Sequence, residues 1–125
     1  MADAVLVDTT VPSRELVRQL RLGVHNEDES VLPESVAWQT FVELRRRGDP
    51  DANNLFMGVL RSLHRRRTVG LLDLPPRDTV PFEHKLIDDS FLGDLWNAYK
   101  KCIRARRTGP ASQLLRDIAK HIDVD

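Results

Sequence analysis

The sequence predicts an all-α fold, a single bundle-like domain of about five helices that occupies residues 1–125. Three observations carry this prediction. Apolar residues recur at three- and four-residue spacing in five segments, residues that start and stop helices flank each segment, and no two runs alternate as paired strands do. A chain of 125 residues with 41% hydrophobic residues is long enough for one packed core and too short for two ordinary domains.

The first two helices are predicted from the residues at their ends. Residues 1–12 are expected to form a weakly structured N-terminal strap. A helix then follows from Ser13, a good N-cap residue, to Gly23, a residue that often ends a helix. The second helix opens at Pro33, which suits the first helical turn, and stops at Gly48.

The third helix is predicted to start after Asp49 and Pro50, a capping residue followed by proline, and to end near Thr68. Residues 69–87 are rich in proline and follow no helical spacing. They are therefore predicted to form an irregular crossover, which packs over the core through apolar residues such as Leu71.

The last two helices complete the predicted bundle. The fourth is capped within residues 88–90 and runs to about Arg107, where Gly109 stops it, and the fifth begins at Pro110. The apolar positions of all five helices predict the core. Its expected members are Leu20, Trp38, Phe41, Phe56, Leu60, Leu63, Phe91, Leu95, Trp96, Tyr99, Leu114 and Ile118.

Three runs of basic residues stand near the C-terminal ends of predicted helices. Cations there complement the helix dipole, and the alternative is a surface for phosphates or for an acidic partner. The candidate binding residues are Arg45, Arg46, Arg47, Arg65, Arg66, Arg67, Lys100, Lys101, Arg104, Arg106 and Arg107. The formal net charge is zero, with 19 basic and 19 acidic residues, so the chain as a whole does not indicate a nucleic-acid partner.

The topology decides which of these runs lie together. In an up-and-down bundle alternate helices end at the same pole, so the runs at 45–47 and 104–107 are expected to converge. The run at 65–67 is then expected at the opposite pole. Nearby acidic residues such as those at 27–29 are candidate counter-charges for the larger cluster.

No motif in the sequence indicates catalysis, a metal site or a cofactor. The four histidines lack metal-ligand spacing, His64 is expected at the surface, and Asp88–Asp89 is typical of a helix cap. No glycine-rich phosphate loop is present. The sequence therefore predicts a protein that is not an enzyme and that uses no cofactor, metal or small-molecule substrate.

Cysteine content and hydropathy predict where the chain resides. Cys102 is the only cysteine, is expected to be a buried thiol, and favours a reducing intracellular compartment, either cytoplasmic or nuclear. No run of about 18 apolar residues occurs, so no membrane partner is expected.

Two function hypotheses stay open. The first is a non-enzymatic adaptor or regulatory protein that acts by protein–protein interaction, with the homodimer as one form of it. The candidate interface residues are Phe91, Leu92, Trp96 and Tyr99 on the fourth helix. The alternative is a nucleic-acid-binding accessory protein of the small viral or phage type, whose arginine clusters contact backbone phosphates without sequence preference.

Overall fold

The computed structural model describes residues 7–22, 32–73 and 87–124, and its helices confirm the predicted all-α, bundle-like fold. No strand occurs within these ranges. The predicted acidic counter-charges at 27–29 and most of the crossover lie outside the described residues. The helices are α1 (Ser13–Leu22), α2 (Pro33–Arg46), α3 (Ala52–Thr68), α4 (Ser90–Arg104) and α5 (Thr108–His121).

Glycine explains where α2 and α3 end. Gly48 and Gly70 adopt positive φ angles of 76° and 80°, a conformation that is costly for residues with a Cβ atom. Their N–H groups donate to the carbonyl oxygens of Arg45 and Arg67, at 2.9 and 3.1 Å, and so close the last turns. The glycine that follows each arginine run is therefore part of a helix C-cap.

α4 ends at Arg104 and not at the predicted Arg107. An arginine, not a glycine, adopts the left-handed conformation that follows the last turn of this helix. Arg106 adopts a φ of 59°. Its N–H donates to the Ile103 carbonyl at 3.1 Å, and the Arg107 N–H donates to the Cys102 carbonyl at 2.9 Å. These two bonds form a Schellman motif, and Gly109 lies within the first turn of α5 instead of stopping α4.

An aromatic cluster joins α2, α3 and α4 at the centre of the core. The Trp38 and Trp96 rings stack with centroids 5.0 Å apart and planes 5° from parallel. The Phe41 and Phe56 rings stack at 4.2 Å. Offset and edge contacts of this kind add to the burial of large apolar surfaces, so this cluster is expected to contribute strongly to stability. Nine of the twelve predicted core residues are buried.

The other predictions about apolar residues need correction. Leu95 and Leu114 are only partly buried, although both pack against the core. Phe91 is 57% exposed and Leu71 is 72% exposed. Leu71 follows the end of α3 and does not fold back over the core, so this part of the crossover leaves an apolar side chain in solvent.

Contacts between helix ends define the directions of the helices. Glu34 at the start of α2 contacts Arg67 at the end of α3, at 2.6 Å, so α2 and α3 are antiparallel. At the other end, Asn53 of α3 donates to the Ile122 carbonyl after α5, at 3.1 Å. His121 near the end of α5 contacts Asp89 before α4, at 3.0 Å. α3 and α4 therefore run parallel, and α5 is antiparallel to both.

The up-and-down topology expected from the sequence is thus wrong between α3 and α4. A 17-residue helix is roughly 25 Å long. The connection over residues 69–89, at about 3.3 Å per extended residue, has ample reach to return the chain to the opposite end. A long connection therefore permits the parallel arrangement that short loops forbid.

Candidate binding cleft at the basic end

Two of the three basic runs converge at one end of the bundle. The ends of α3 and α4 and the start of α5 meet there around a cleft of about 230 Å³. We call this region the basic end and the cavity the basic cleft. Its charged and polar lining includes His64, Arg67, Asp73, Arg106, Arg107 and Thr108. Small-molecule sites usually enclose roughly 300–1,000 Å³, so the basic cleft suits a single functional group better than a whole cofactor.

The predicted convergence of runs 45–47 and 104–107 is wrong, because α2 and α4 are antiparallel. Arg45 at the end of α2 lies close enough to Asp89, before the start of α4, for its charge to affect that carboxylate. Burial raises the pKa of Asp89, but a hydrogen bond from the Leu92 N–H, the His121 contact and the Arg45 charge together hold it below its ordinary value. The run at 104–107 lies instead beside the run at 65–67.

Arg67 is part of the folded core and not an open binding residue. Its side chain is 9% exposed, and its Nε and Nη2 donate to the two carboxylate oxygens of Glu34 at 2.6 and 2.8 Å. Glu34 is fully buried. This bidentate ion pair neutralises both charges and joins α2 to α3. The prediction that Arg67 offers its charge to a partner is therefore corrected.

The three arginines of the run at 45–47 also make contacts within the chain. Arg47 donates to Glu43 at 2.8 Å and to the carbonyl oxygens of Val11 and Thr9 at 2.8 and 2.6 Å. It thereby fastens the segment before α1 to the end of α2. The hydrogen bond from Arg46, opposed by burial and helped by Arg47, holds the pKa of Glu43 below its ordinary value. The guanidinium of Arg45 lies over the Phe41 ring, 5.5 Å from its centroid.

The basic residues of α4 divide between the core and the surface. Lys100 is fully buried, so the prediction that it contacts a partner is corrected. Lys101 is exposed and Arg104 is partly buried, and both interact with other groups of the chain. Both side chains therefore already have partners within the chain.

Four arginines remain exposed at the basic end. Arg65 and Arg66 lie on the last turn of α3, and Arg106 and Arg107 lie between α4 and α5. Among the residues that the structure describes, no carboxylate lies within ion-pair distance of these four side chains. Asp73 is the one carboxylate in the described lining of the basic cleft. Counted over the described residues, the basic end therefore presents an excess of positive charge.

His64 links three helices beside the basic cleft, which corrects its predicted surface role. Its Nε2 lies 2.9 Å from the Ser112 Oγ on α5, and its Nδ1 lies 3.4 Å from the Tyr99 hydroxyl on α4. Burial lowers the pKa of His64, and the negative charge of Glu34 opposes that shift. Burial likewise raises the pKa of the Tyr99 phenol well above its usual range. Both side chains are thus held in their neutral forms near neutral pH.

The sequence pattern did not reveal this cluster. Ser112 and His64 are 48 residues apart, and Arg67 and Glu34 are 33 residues apart. No local motif relates such positions. The acid in the first turn of α2 was the only signal, and by itself it is typical of favourable helix-dipole placement.

The predicted dimer surface on α4 is not available in the folded chain. Leu92, Trp96 and Tyr99 are all fully buried in the core of the monomer. Only Phe91 of the four candidate residues is exposed, and its ring lies 4.9 Å from the His121 ring. Of the four candidate interface residues, a second copy of the chain could therefore contact only Phe91.

Three further findings bear on function. In the described part of the chain, no group of three or more His, Cys, Asp or Glu side chains could hold a metal ion, and Cys102 is partly buried against the core. Across 7–22, 32–73 and 87–124, no helix combines the length and apolar character needed to cross a membrane. Comparison of the chain with protein-family models, curated proteins and solved structures finds no match.

Proposed function

We propose that this protein is a non-enzymatic adaptor or regulatory protein that docks an acidic segment of a protein partner at its basic end. The observation that carries the proposal is the exposure of Arg65, Arg66, Arg106 and Arg107 at one end of the bundle without matching carboxylates among the described residues. Capping of a helix dipole needs one or two cations at each helix end. Because α3 and α4 both end here, capping by itself could use up to four cations, so the proposal depends on the lack of described counter-charges, which leaves these exposed guanidinium groups complementary to an acidic surface.

Apolar residues at the same end favour a protein partner. Val69 and Leu71 directly follow α3 and are 63% and 72% exposed. An acidic peptide with interleaved apolar side chains could cover both the charges and these apolar groups. The third large exposed apolar side chain in the described ranges, Phe91, lies at the opposite end, in the first turn of α4.

Nucleic-acid binding is the second candidate, and the same four arginines support it. Guanidinium groups without carboxylate partners can contact phosphates and release condensed counterions. No exposed aromatic side chain accompanies them at the basic end in the described residues, so stacking on bases has no support. Such binding would depend on the backbone alone and would weaken steeply with salt.

The two candidates are separated by titration of the full chain with three labelled probes. The probes are a peptide of alternating glutamate and leucine, a generic RNA duplex and a generic DNA duplex, each measured by fluorescence anisotropy at low and moderate salt. We expect the peptide to bind at micromolar protein and to retain part of its affinity at moderate salt, because apolar contact is not screened.

Matched variants locate the contact. Arg65→Gln with Arg66→Gln should weaken peptide binding about tenfold, since each exposed charge contact contributes roughly 0.2–1 kcal/mol. Arg14→Gln with Arg116→Gln removes the same charge from exposed positions of α1 and α5 and should change little. Leu71→Ser should weaken binding of the peptide but not of a duplex.

The outcomes decide between the candidates. Duplex binding that disappears at moderate salt, with no peptide binding, would establish the second candidate and reject the first. Equal losses in both double variants would remove the basic end as the contact. Failure of all three probes at low salt would reject both functions.

A further inference from the structure

The basic cleft combines arginine residues with backbone N–H groups that have no backbone acceptor. Arg107 is the N-cap residue of α5 and makes no side-chain cap hydrogen bond. The first intrahelical bond runs from the Ala111 N–H to the Arg107 carbonyl at 3.1 Å, so the N–H groups of Thr108 and Gly109 have no backbone acceptor. Thr108 and both neighbouring arginines line the basic cleft or adjoin it.

Arg106 occupies a backbone position that favours glycine. Its φ of 59° matches the left-handed region, in which α2 and α3 use Gly48 and Gly70 after their last turns. Arg106 is also one of the residues that line the basic cleft. The chain thus places a cation in the cleft at a position where a residue without a side chain would stabilise the backbone more.

We propose that the basic cleft binds one phosphate group carried by a phosphorylated side chain of the protein partner. This inference rests on the proposed function and specifies its ligand chemistry. A phosphomonoester carries about −1.5 to −2 charges at pH 7 and three acceptor oxygens. Arg106 and Arg107 outnumber Asp73, the one carboxylate in the described lining, and arginine is the residue that binds phosphate oxygens in pairs.

Other features of the cleft fit the same ligand. Its volume of about 230 Å³ is sufficient for a single group and lies below the range usual for sites that enclose a whole small molecule. The N–H groups at the start of α5 add donors and a favourable dipole, which act together with the arginines. Arg67 contributes rigidity and no net charge, because Glu34 holds its guanidinium in place. A carboxylate, with two oxygens and a single charge, would use fewer of these donors.

The test uses three peptides of identical length on the full ¹⁵N-labelled chain. Each alternates glutamate and leucine around a central residue, which is phosphoserine, glutamate or serine, and inorganic phosphate is a fourth probe. We expect the phosphoserine peptide to bind about tenfold or more tightly than the glutamate peptide, with saturable shifts of the Thr108 and Gly109 amide signals. Inorganic phosphate should move the same signals at higher concentration.

One pair of variants separates binding from stability. Arg106→Gly should abolish the preference for phosphoserine while raising the melting temperature, because it removes a cation and relieves an unfavourable φ. Asp123→Gly is the matched control, since Asp123 is the other non-glycine residue with positive φ among those that the structure describes, at 60°, and lies after α5 at the opposite end. It should also raise the melting temperature and leave the phosphoserine preference intact. Arg107→Gln should reduce the preference about tenfold.

The results distinguish failure of this inference from failure of the proposed function. Equal binding of the phosphoserine and glutamate peptides at the basic end would overturn the phosphate assignment and leave acidic docking in place. Absence of binding by all three peptides would overturn both. An RNA duplex that moves the Thr108 and Gly109 signals at lower concentration than the phosphoserine peptide would overturn the phosphopeptide assignment in favour of a nucleic-acid backbone. An unchanged preference in Arg106→Gly would remove that residue from the site.

Discussion

Single residues within one basic run serve different purposes. Arg65 and Arg66 point into solvent, whereas Arg67, the next residue, is locked to a buried carboxylate. The run at 45–47 repeats this division, because Arg47 is 20% exposed and bonded to Glu43 while Arg46 is 68% exposed. The hypothesis that the runs only cap helices and face outward therefore holds for Arg46, Arg65 and Arg66. It fails for Arg47 and Arg67, and Arg45 is partly buried.

Arg67→Ala is expected to destabilise the fold by about 3–5 kcal/mol, because it leaves the Glu34 carboxylate buried and unpaired. Urea unfolding followed by circular dichroism measures the loss. Arg66→Ala, one residue earlier and exposed, is the control and should stay within about 0.5 kcal/mol of the parent. Similar small losses in both variants would show that the buried pair does not stabilise the native state.

Arg106→Gly is expected to stabilise the fold by about 1 kcal/mol, because an L-residue in the left-handed region is disfavoured by roughly that amount. Thermal unfolding should show a rise of several degrees for a domain of this size. Ala105→Gly provides the contrast, since Ala105 has a negative φ of −85° and gains nothing from glycine. A lower melting temperature in Arg106→Gly would mean that the arginine side chain stabilises the end of α4.

At the scale of helices, Asp89 fixes the start of α4 and also ties it to α5. Its Oδ1 accepts from the Leu92 N–H at 3.0 Å, and its Oδ2 lies 3.0 Å from the His121 Nε2. Asp89→Ala should cost about 1–2 kcal/mol, the usual loss for an N-cap. Asp88→Ala, at the adjacent exposed position, should cost about 0.5 kcal/mol or less. Chemical denaturation of the two variants compares them, and equal costs would contradict the capping role.

The His64 contacts join α3, α4 and α5 and make stability depend on pH. Burial lowers the pKa of His64 below its ordinary 6.5, so the unfolded chain binds more protons just below that pH. The free energy of unfolding should therefore fall as pH falls from 6.5 toward the folded pKa. Glu43 and Asp89 also have lowered pKa values, but their contributions are lost only below the ordinary pKa values of 4.5 and 3.8.

Urea unfolding at pH 7 and pH 5 tests this dependence. The parent chain should lose stability between the two values, and His64→Gln should lose less over the same interval. The comparison is made within each protein, so any change in stability caused by the substitution itself cancels. Equal losses in parent and variant would show that another group causes the pH dependence.

At the scale of the molecule, one aromatic cluster holds α2, α3 and α4 together. Phe56 is fully buried between Phe41 and Trp96, so Phe56→Ala should destabilise the fold by about 3–5 kcal/mol. Phe91→Ala removes the same ring from a position that is 57% exposed and should cost about 1 kcal/mol or less. Equilibrium unfolding monitored by tryptophan fluorescence measures both. Comparable losses would place the stabilising core elsewhere.

Much of the local structure could be predicted, because local rules control it. Pro33 and Gly48 bound α2 as expected, and the apolar spacing placed Trp38, Phe56 and Trp96 in the core. The candidate cleft could not be predicted. It depends on the direction of α4 relative to α3, and helical spacing contains no information about the path of a long connection.

The sequence by itself determined that the chain forms α-helices, where most of them start and stop, and which faces are apolar, since these properties follow from neighbouring residues. Tertiary structure alone decided which charges meet. It buried Lys100, paired the largely buried Arg67 with Glu34, left Arg65 and Arg107 in solvent, and brought the last two basic runs together. The physical reason is that burial and ion pairing depend on contacts between residues tens of positions apart, such as Glu34 with Arg67.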